Sequence, residues 1–141
     1  RLIMAEDYGS AMARHYDNST YLAADGRWQE AAYLAGYAAE CALKLLVNEG
    51  GRGQIRGKAF SHDLARLRDE GLTLACTLSP LLRRMDLGAM NLADWSEQMR
   101  YETLGSPSDE RCQKVVAEAK RVASLVLVGL TLDGVLAEAP L

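Results

Sequence analysis

The feature that most constrains the fold is the scarcity of β-branched aliphatic residues in the first 114 positions. Ile occurs twice in the chain, at Ile3 and Ile55, and Val47 is the one Val that precedes Val115. A β-strand needs Val, Ile, Thr and aromatic residues at alternating positions, and no stretch of this chain provides them. Apolar residues at spacings of three and four are frequent instead. The sequence therefore predicts an all-α protein.

The strongest helical pattern covers residues 27–47. An apolar stripe follows one face of this helix and consists of Ala31, Leu34, Ala38, Cys41 and Leu45. Three further apolar residues widen the stripe: Ala35, Ala42 and Leu46. A stripe this wide predicts a helix that lies centrally in a bundle. Asn48 and the Gly50-Gly51 pair are expected to end the helix, since Gly readily adopts the left-handed conformation of a C-cap.

Glu40 and Lys44 are charged residues within this apolar helix. They lie one turn apart with the acid before the base, which is the favourable order for an ion pair. Because the helix is predicted to be central, Glu40 is expected to be at least half buried and paired, with Lys44 or with an Arg of a neighbouring helix. Loss of Glu40 would then leave its partner's charge uncompensated.

Further helices are predicted on both sides of the central one. The first covers about 5–24 and is ended by Asp25-Gly26. The last begins with Ser106 as its cap, Pro107 in its first turn and an acidic Asp109 at the third position. Shorter helical segments are predicted at 62–70, 81–85 and 92–101. Four or five helices with short connections indicate a single domain over residues 1–141, folded as an up-and-down bundle with a long C-terminal helix.

The last helix is apolar around much of its circumference. Its principal stripe consists of Val115, Ala119, Val122, Val126 and Leu130. An apolar surface this wide is unusual for the surface helix of a monomer. This helix is either the central strut of the bundle or half of a dimer interface, and we favour both roles at once. A homodimer is the expected assembly.

Composition and charge exclude several classes of function. Charged residues make up 25% of the chain, which is ordinary for a globular domain. The net charge of −3 argues against a protein that binds nucleic acids non-specifically along their length. Cys41, Cys76 and Cys112 are odd in number and widely separated, which predicts buried thiols in a reducing compartment. No signal peptide or membrane-spanning run is recognised. The expected location is the cytoplasm, without membrane association.

The region between residues 52 and 68 is locally basic. It contains one acid, Asp63, and five basic residues, namely Arg52, Arg56, Lys58, Arg66 and Arg68. The glycines around it do not have the spacing of a phosphate-binding Walker loop, and Ala59 stands where that loop needs Ser or Thr. The cluster is either a phosphate-binding loop of another kind or a solvated surface loop.

His62 follows this basic region and precedes Asp63. A neutral His beside basic groups suits acid–base chemistry near neutral pH, but a His at a helix start is equally explained as local structure. His15 has no evident partner in the sequence and is interpreted as structural. With two His and no metal-ligand spacing, neither a metal site nor another cofactor is expected.

A third candidate cluster comprises Trp95, Arg100, Tyr101 and Glu102. Arg100 and Tyr101 close a predicted helix. An Arg at a helix C-terminus either compensates the helix dipole or contacts an anion in a groove, and the sequence leaves both readings open.

Three blocks of the chain together resemble the HEPN domain family (higher eukaryotes and prokaryotes nucleotide-binding domain). Residues 31–46 are similar to its second-helix signature, A-x-E-x-x-L-K, carried here by Ala38, Glu40, Leu43 and Lys44. Residues 61–67, Ser-His-Asp-Leu-Ala-Arg-Leu, look like its H-D-L-x-x-L element. Residues 95–101 followed by Ser106-Pro107 are similar to its R-Y segment and the start of its last long helix.

The resemblance implies an all-α bundle that commonly dimerises. Family members include ribonuclease toxins and partners of minimal nucleotidyltransferases in prokaryotic toxin–antitoxin or defence systems. The ribonucleases carry R-x(4–6)-H, in which His acts as acid–base and Arg stabilises the transition state. Here no His follows Arg100. Arg56 and His62 have the motif's spacing but precede the third helix, outside the motif's usual late position.

The sequence therefore favours a non-catalytic module that binds a nucleotide, RNA or a minimal nucleotidyltransferase. The predicted ligand-binding residues are Lys44, Arg100, Tyr101, Arg52 and Lys58. One alternative is a metal-independent ribonuclease toxin that uses His62 with Arg56 or Arg100. The other alternative is a dimeric protein-interaction module without a small ligand.

Overall fold

The computed structural model describes residues 7–50, 64, 67–69, 95 and 108–132, with residues 48–50 and 132 described by their backbone alone. Three helices have both ends in this part of the chain. They are α1 (Tyr8–Ala24), α2 (Trp28–Gly50) and α3 (Asp109–Leu132). Leu64 and Leu67–Asp69 are also helical. The predicted all-α fold class and the long last helix are confirmed.

Helix α1 begins three residues later than its periodicity predicted. Asp7 is the N-cap, and its carboxylate accepts a hydrogen bond of 2.9 Å from the backbone N–H of Ser10. This bond satisfies one of the N–H groups that have no partner inside a helix, which fixes the first turn at Tyr8 rather than Ala5.

The turn between α1 and α2 lies at the predicted Asp25-Gly26 break. Gly26 has a φ of 76°, and its N–H bonds to the carbonyl of Ala23 at 3.0 Å while the N–H of Arg27 bonds to that of Leu22 at 2.9 Å. These two bonds form a Schellman motif, which needs a left-handed residue after the C-cap. Arg27 then accepts the first helical hydrogen bond of α2, from the N–H of Ala31. The chain therefore reverses direction within this turn, and α2 runs antiparallel to α1.

Helix α2 lies between its neighbours and packs against both α1 and α3. Every residue from 38 to 47 is buried. The helix continues to Gly50, three residues beyond the predicted end at Val47. Burial of the preceding turns outweighs the low helix propensity of Asn48 and Gly50. The predicted central position of α2 is confirmed.

Alanines allow α1 and α2 to approach closely. Ala31, Ala32, Ala35, Ala38, Ala39 and Ala42 are all fully buried. In this contact the buried hydroxyl of Ser19 donates a hydrogen bond of 2.8 Å to the carbonyl of Ala31. A buried hydroxyl without such an acceptor would destabilise the fold, so this bond fixes the register of the two helices.

Helix α3 has its N-cap at Ser108 rather than at the predicted Ser106. The hydroxyl of Ser108 accepts a hydrogen bond of 3.2 Å from the N–H of Arg111, and its carbonyl accepts the first helical bond from Cys112. The predicted apolar stripe is confirmed, because its five residues are all at most 4% exposed: Val115, Ala119, Val122, Val126 and Leu130.

Among the described helices α3 does not hold the central place, and its predicted role as the strut of the whole bundle stays a prediction. Helix α3 packs on α2 and meets α1 only over a small area, so that α2 holds the central place. Most apolar side chains of α3 are buried within this single chain, and Val128, at 54% exposed, is its one exposed large apolar residue between 109 and 131. The wide apolar surface is therefore largely accounted for by the fold.

One core connects the described segments. Leu64, Leu67 and Trp95 belong to the same buried cluster as the apolar residues of α1, α2 and α3. Over the described residues, the structure contains no helix that is both long enough and apolar enough to cross a membrane.

Candidate functional site

Lys44 is the one predicted site residue that the structure describes. The other six lie outside the described residues: His62, Arg56, Arg100, Tyr101, Arg52 and Lys58. Whether these side chains meet one another, and whether they contact Lys44, therefore stays a prediction.

Glu40 and Lys44 form an ion pair inside the core. The ammonium of Lys44 lies 3.4 Å from a carboxylate oxygen of Glu40, and the side chains are 10% and 4% exposed respectively. The ammonium also lies 5.7 Å from the centre of the Tyr8 ring in α1. The predicted burial and pairing of Glu40 are confirmed. In this geometry the charge of Lys44 is balanced within the protein, and its ligand-binding role remains a prediction.

Arg68, the last residue of the basic region, is paired with the acidic residue that follows it, Asp69. The guanidinium of Arg68 forms two contacts of 3.0 Å with one carboxylate oxygen of Asp69. One of the five positive charges between residues 52 and 68 is therefore compensated locally.

An aromatic cluster that the sequence did not predict joins α1, α2 and Trp95. The ring of Tyr37 lies 5.0 Å from that of Tyr33 and 5.2 Å from that of Trp95, both edge to face, and 5.7 Å from the imidazole of His15. Edge-to-face pairs at these distances stabilise a fold beyond the area they bury. Tyr37 is the centre of the cluster because it contacts the other three rings.

Gly36 is the reason that Trp95 reaches α2. A β-carbon at Gly36 would lie 1.9 Å from the indole nitrogen of Trp95, well inside van der Waals contact. The absent side chain leaves a notch in α2 that the indole fills, and the indole N–H donates a hydrogen bond of 3.1 Å to the carbonyl of Tyr33. The notch and the bond fix Trp95 in position and orientation.

His15 has partners that its sequence context did not reveal. It is partly buried against Tyr37. Burial, with a smaller contribution from the positive charge of Arg14, lowers the pKa of His15, while Glu40 acts to raise it. The imidazole is therefore more readily neutral than an exposed histidine, and its structural interpretation gains a physical basis.

The described residues include two of the three cysteines and both partners of the buried ion pair. Cys41 and Cys112 are buried thiols, as predicted, and neither is in a disulfide. Over residues 7–47, 64, 67–69, 95 and 108–131, no three His, Cys, Asp or Glu side chains are grouped as a metal site requires.

A sequence signal for the aromatic cluster did exist. Tyr33 and Tyr37 lie one turn apart with Gly36 between them, which places two rings and a gap on adjacent faces of one helix. Nothing in the sequence says that Trp95 fills this gap, because the two segments are 62 positions apart.

Comparison with known proteins identifies no relative of this chain. The chain matches no protein-family model, and no curated protein or solved structure is significantly similar to it.

Proposed function

We propose that this chain is a HEPN-type module that binds a nucleotide, RNA or a minimal nucleotidyltransferase and does not itself cleave RNA. The observation that supports the proposal is that the three sequence blocks share one buried cluster. Each of the blocks that resemble the family contributes residues to one core.

The first block supplies the centre of that core. Ala38, Glu40, Leu43 and Lys44 are all buried in α2, the second of the described helices. A buried ion pair costs desolvation energy, so it is poor evidence for added stability. The pair is neutral as a whole, so its place in the family-like signature, rather than its charge, supports the proposal.

Residues of the second and third blocks belong to the same buried cluster as the apolar residues of the first. Leu64 and Leu67, the apolar residues of the H-D-L-x-x-L element, are helical and buried in the common core. Trp95, the first residue of the third block, fills the notch at Gly36. The block order and the long final helix α3 are also those that the resemblance implies.

The absence of a late R-x(4–6)-H motif favours binding over cleavage. Arg100 has no His after it, so the usual acid–base partner is missing from that position. An Arg without this partner still suits recognition of phosphate, since its guanidinium donates several hydrogen bonds in a planar fork. We propose Arg100, Arg52 and Lys58 as the cationic groups of the ligand site.

RNA cleavage is the first experiment. The purified protein is incubated with RNA in EDTA beside His62→Ala and Arg100→Ala. We expect no cleavage by any of the three. Cleavage that either substitution abolishes would overturn the proposal in favour of a ribonuclease with a displaced histidine.

Nucleotide binding is the second experiment. We expect a nucleoside triphosphate to raise the melting temperature, because a ligand at 100 times its Kd stabilises a fold by about 2.7 kcal/mol. Arg100→Ala should reduce this shift, whereas Lys114→Ala, at an exposed cation on α3, should leave it intact. No shift with nucleotides and no retention of short RNA would contradict the small-ligand form of the proposal.

The proposed assembly is a homodimer, and sedimentation analysis measures it directly. A mass of twice 15.4 kDa is the expected result. A monomer at all concentrations would remove the dimer from the proposal and leave the ligand-binding prediction to be tested separately.

A further inference from the structure

The notch at Gly36 holds the indole of Trp95 in one defined orientation. The three indole atoms nearest to the position of a β-carbon at Gly36 are Nε1, Cε2 and Cδ1, which all belong to the five-membered ring. The N–H edge of the indole therefore enters the notch, where the N–H donates to the carbonyl of Tyr33 at 3.1 Å. Trp95 is 6% exposed, so its two rings are almost entirely shielded from water.

The described walls of the notch belong to α1 and α2 rather than to the segment that carries Trp95. The floor is the α2 backbone at Gly36, and the hydrogen-bond acceptor is the α2 carbonyl of Tyr33. The ring of Tyr37 stands edge to face with the indole at 5.2 Å. Tyr37 also contacts the rings of Tyr33 and His15, which help to hold it in place without Trp95.

The hairpin of α1 and α2 is closed by contacts in which Trp95 takes no part. These are the turn at Gly26 and the buried hydrogen bond from Ser19 to the carbonyl of Ala31. A helical carbonyl has two lone pairs and uses one of them within the helix, so the Tyr33 carbonyl offers the other to a second donor. The gap and the acceptor are therefore both features of the hairpin itself.

We infer that the notch is a binding site for an indole-type ligand, a planar pair of fused rings with one N–H on its edge, and that Trp95 is its intramolecular ligand. Free indole takes the same place when the Trp95 side chain is removed, because it offers the same ring edge and the same donor. An apolar cavity left by a deleted side chain binds a small aromatic molecule that fits it. This binding needs none of the cationic residues proposed above for the nucleotide site.

The single acceptor makes the site selective for a ligand with an N–H. Benzofuran has the same two-ring outline as indole, with an oxygen atom in place of the N–H. That oxygen donates no hydrogen bond and would face the carbonyl oxygen of Tyr33. Benzofuran is therefore expected to bind several times more weakly than indole.

Trp95→Ala is the variant that empties the notch, and its melting temperature is measured with and without indole. We expect indole to raise the melting temperature by several degrees, because a ligand that binds only the folded chain stabilises it. The wild type should show no such rise, since its notch is filled. If Trp95→Ala is largely unfolded alone, the measure is the helical circular dichroism that indole restores. Neither a rise nor restored helix would refute the site.

Gly36→Ala in the Trp95→Ala background distinguishes the notch from binding elsewhere on the protein. The added methyl group takes the place of the five-membered ring, so the effect of indole should be lost. Lys114→Ala, at an exposed cation on α3, is the matched control in the same background and should keep the effect. An undiminished effect with Gly36→Ala, or an equal effect of benzofuran, would overturn the inference.

Discussion

At the scale of single residues, Gly36 reverses an ordinary expectation. Replacing a mid-helix Gly by Ala stabilises most helices by up to about 1 kcal/mol. Here the added methyl group would overlap the indole of Trp95, which lies 1.9 Å from the position of the β-carbon. We therefore expect Gly36→Ala to destabilise the protein by about 1–3 kcal/mol, measured by urea unfolding, because the indole must leave its notch.

A double-mutant cycle isolates this contact. In a Trp95→Ala background the notch is empty, so Gly36→Ala should be neutral or stabilising there. An equal cost of Gly36→Ala in both backgrounds would show that Trp95 is not what opposes the methyl group.

Glu40 supplies a second prediction at the residue scale. Glu40→Ala leaves the ammonium of Lys44 buried without its carboxylate, which costs about 3–5 kcal/mol when a buried pair is broken. The expected result is a large fall in the free energy of unfolding.

The chain contains its own control for this substitution. Glu110 and Lys114 in α3 have the same spacing and the same 3.4 Å distance, but both side chains are more than three-quarters exposed. Glu110→Ala should leave the melting temperature nearly unchanged, since exposed pairs contribute little. Comparable losses of stability in Glu40→Ala and Glu110→Ala would mean that burial is not the reason for the contribution of the Glu40–Lys44 pair.

At the scale of whole elements, α3 is attached to the core by one face. Val126 is fully buried on that face, whereas Val128 is 54% exposed on the other side of the helix. Val126→Lys places an unpaired charge in an apolar core, which costs several kcal/mol out of a total stability that is commonly about 5–15 kcal/mol. We expect loss of cooperative unfolding by circular dichroism.

Val128→Lys is the matched substitution two positions away. It adds the same side chain to the same helix without burying it, so the melting curve should stay close to that of the wild type. A fold that tolerates Lys at 126 as well as at 128 would contradict the packing of α3 on α2.

At the scale of the whole molecule, His15 couples stability to pH. Its pKa in the folded state is lowered, so the unfolded chain binds protons more readily in the interval between the two pKa values. The contribution of the neutral His15 is fully present above the unfolded value of about 6.5 and is lost as the pH falls through the folded value. The free energy of unfolding should therefore decrease on acidification from about pH 8 to pH 5.

His15→Gln removes this titratable group and should therefore weaken the dependence of the free energy of unfolding on pH. His62→Gln removes the only other histidine of the chain and serves as the control. If the His62 variant flattens the pH dependence and the His15 variant does not, the partly buried imidazole of His15 is not the group responsible.

The secondary structure follows from the sequence because helical periodicity is a local property. The apolar stripes of α2 and α3, the Asp25-Gly26 turn and the Glu40–Lys44 pair all depend on residues within a few positions of one another. The helix ends were less well predicted. Asp7 starts α1 three residues later than its apolar pattern predicted, and Ser108 replaces the expected cap Ser106, since the hydrogen bonds that fix these ends depend on backbone geometry.

The sequence by itself determined that the chain is helical and that the helix around residues 27–47 buries the Glu40–Lys44 pair. It offered two candidates for the central helix, and the structure places α2 between α1 and α3. Only the tertiary structure decided that Trp95 enters the notch at Gly36, that His15 packs on Tyr37, and that Lys120 of α3 donates a hydrogen bond to Thr20 of α1. Each of these contacts joins residues on different segments of the chain. The spacing of side chains along one helix fixes which face they share, but the neighbour that covers the face is set by packing.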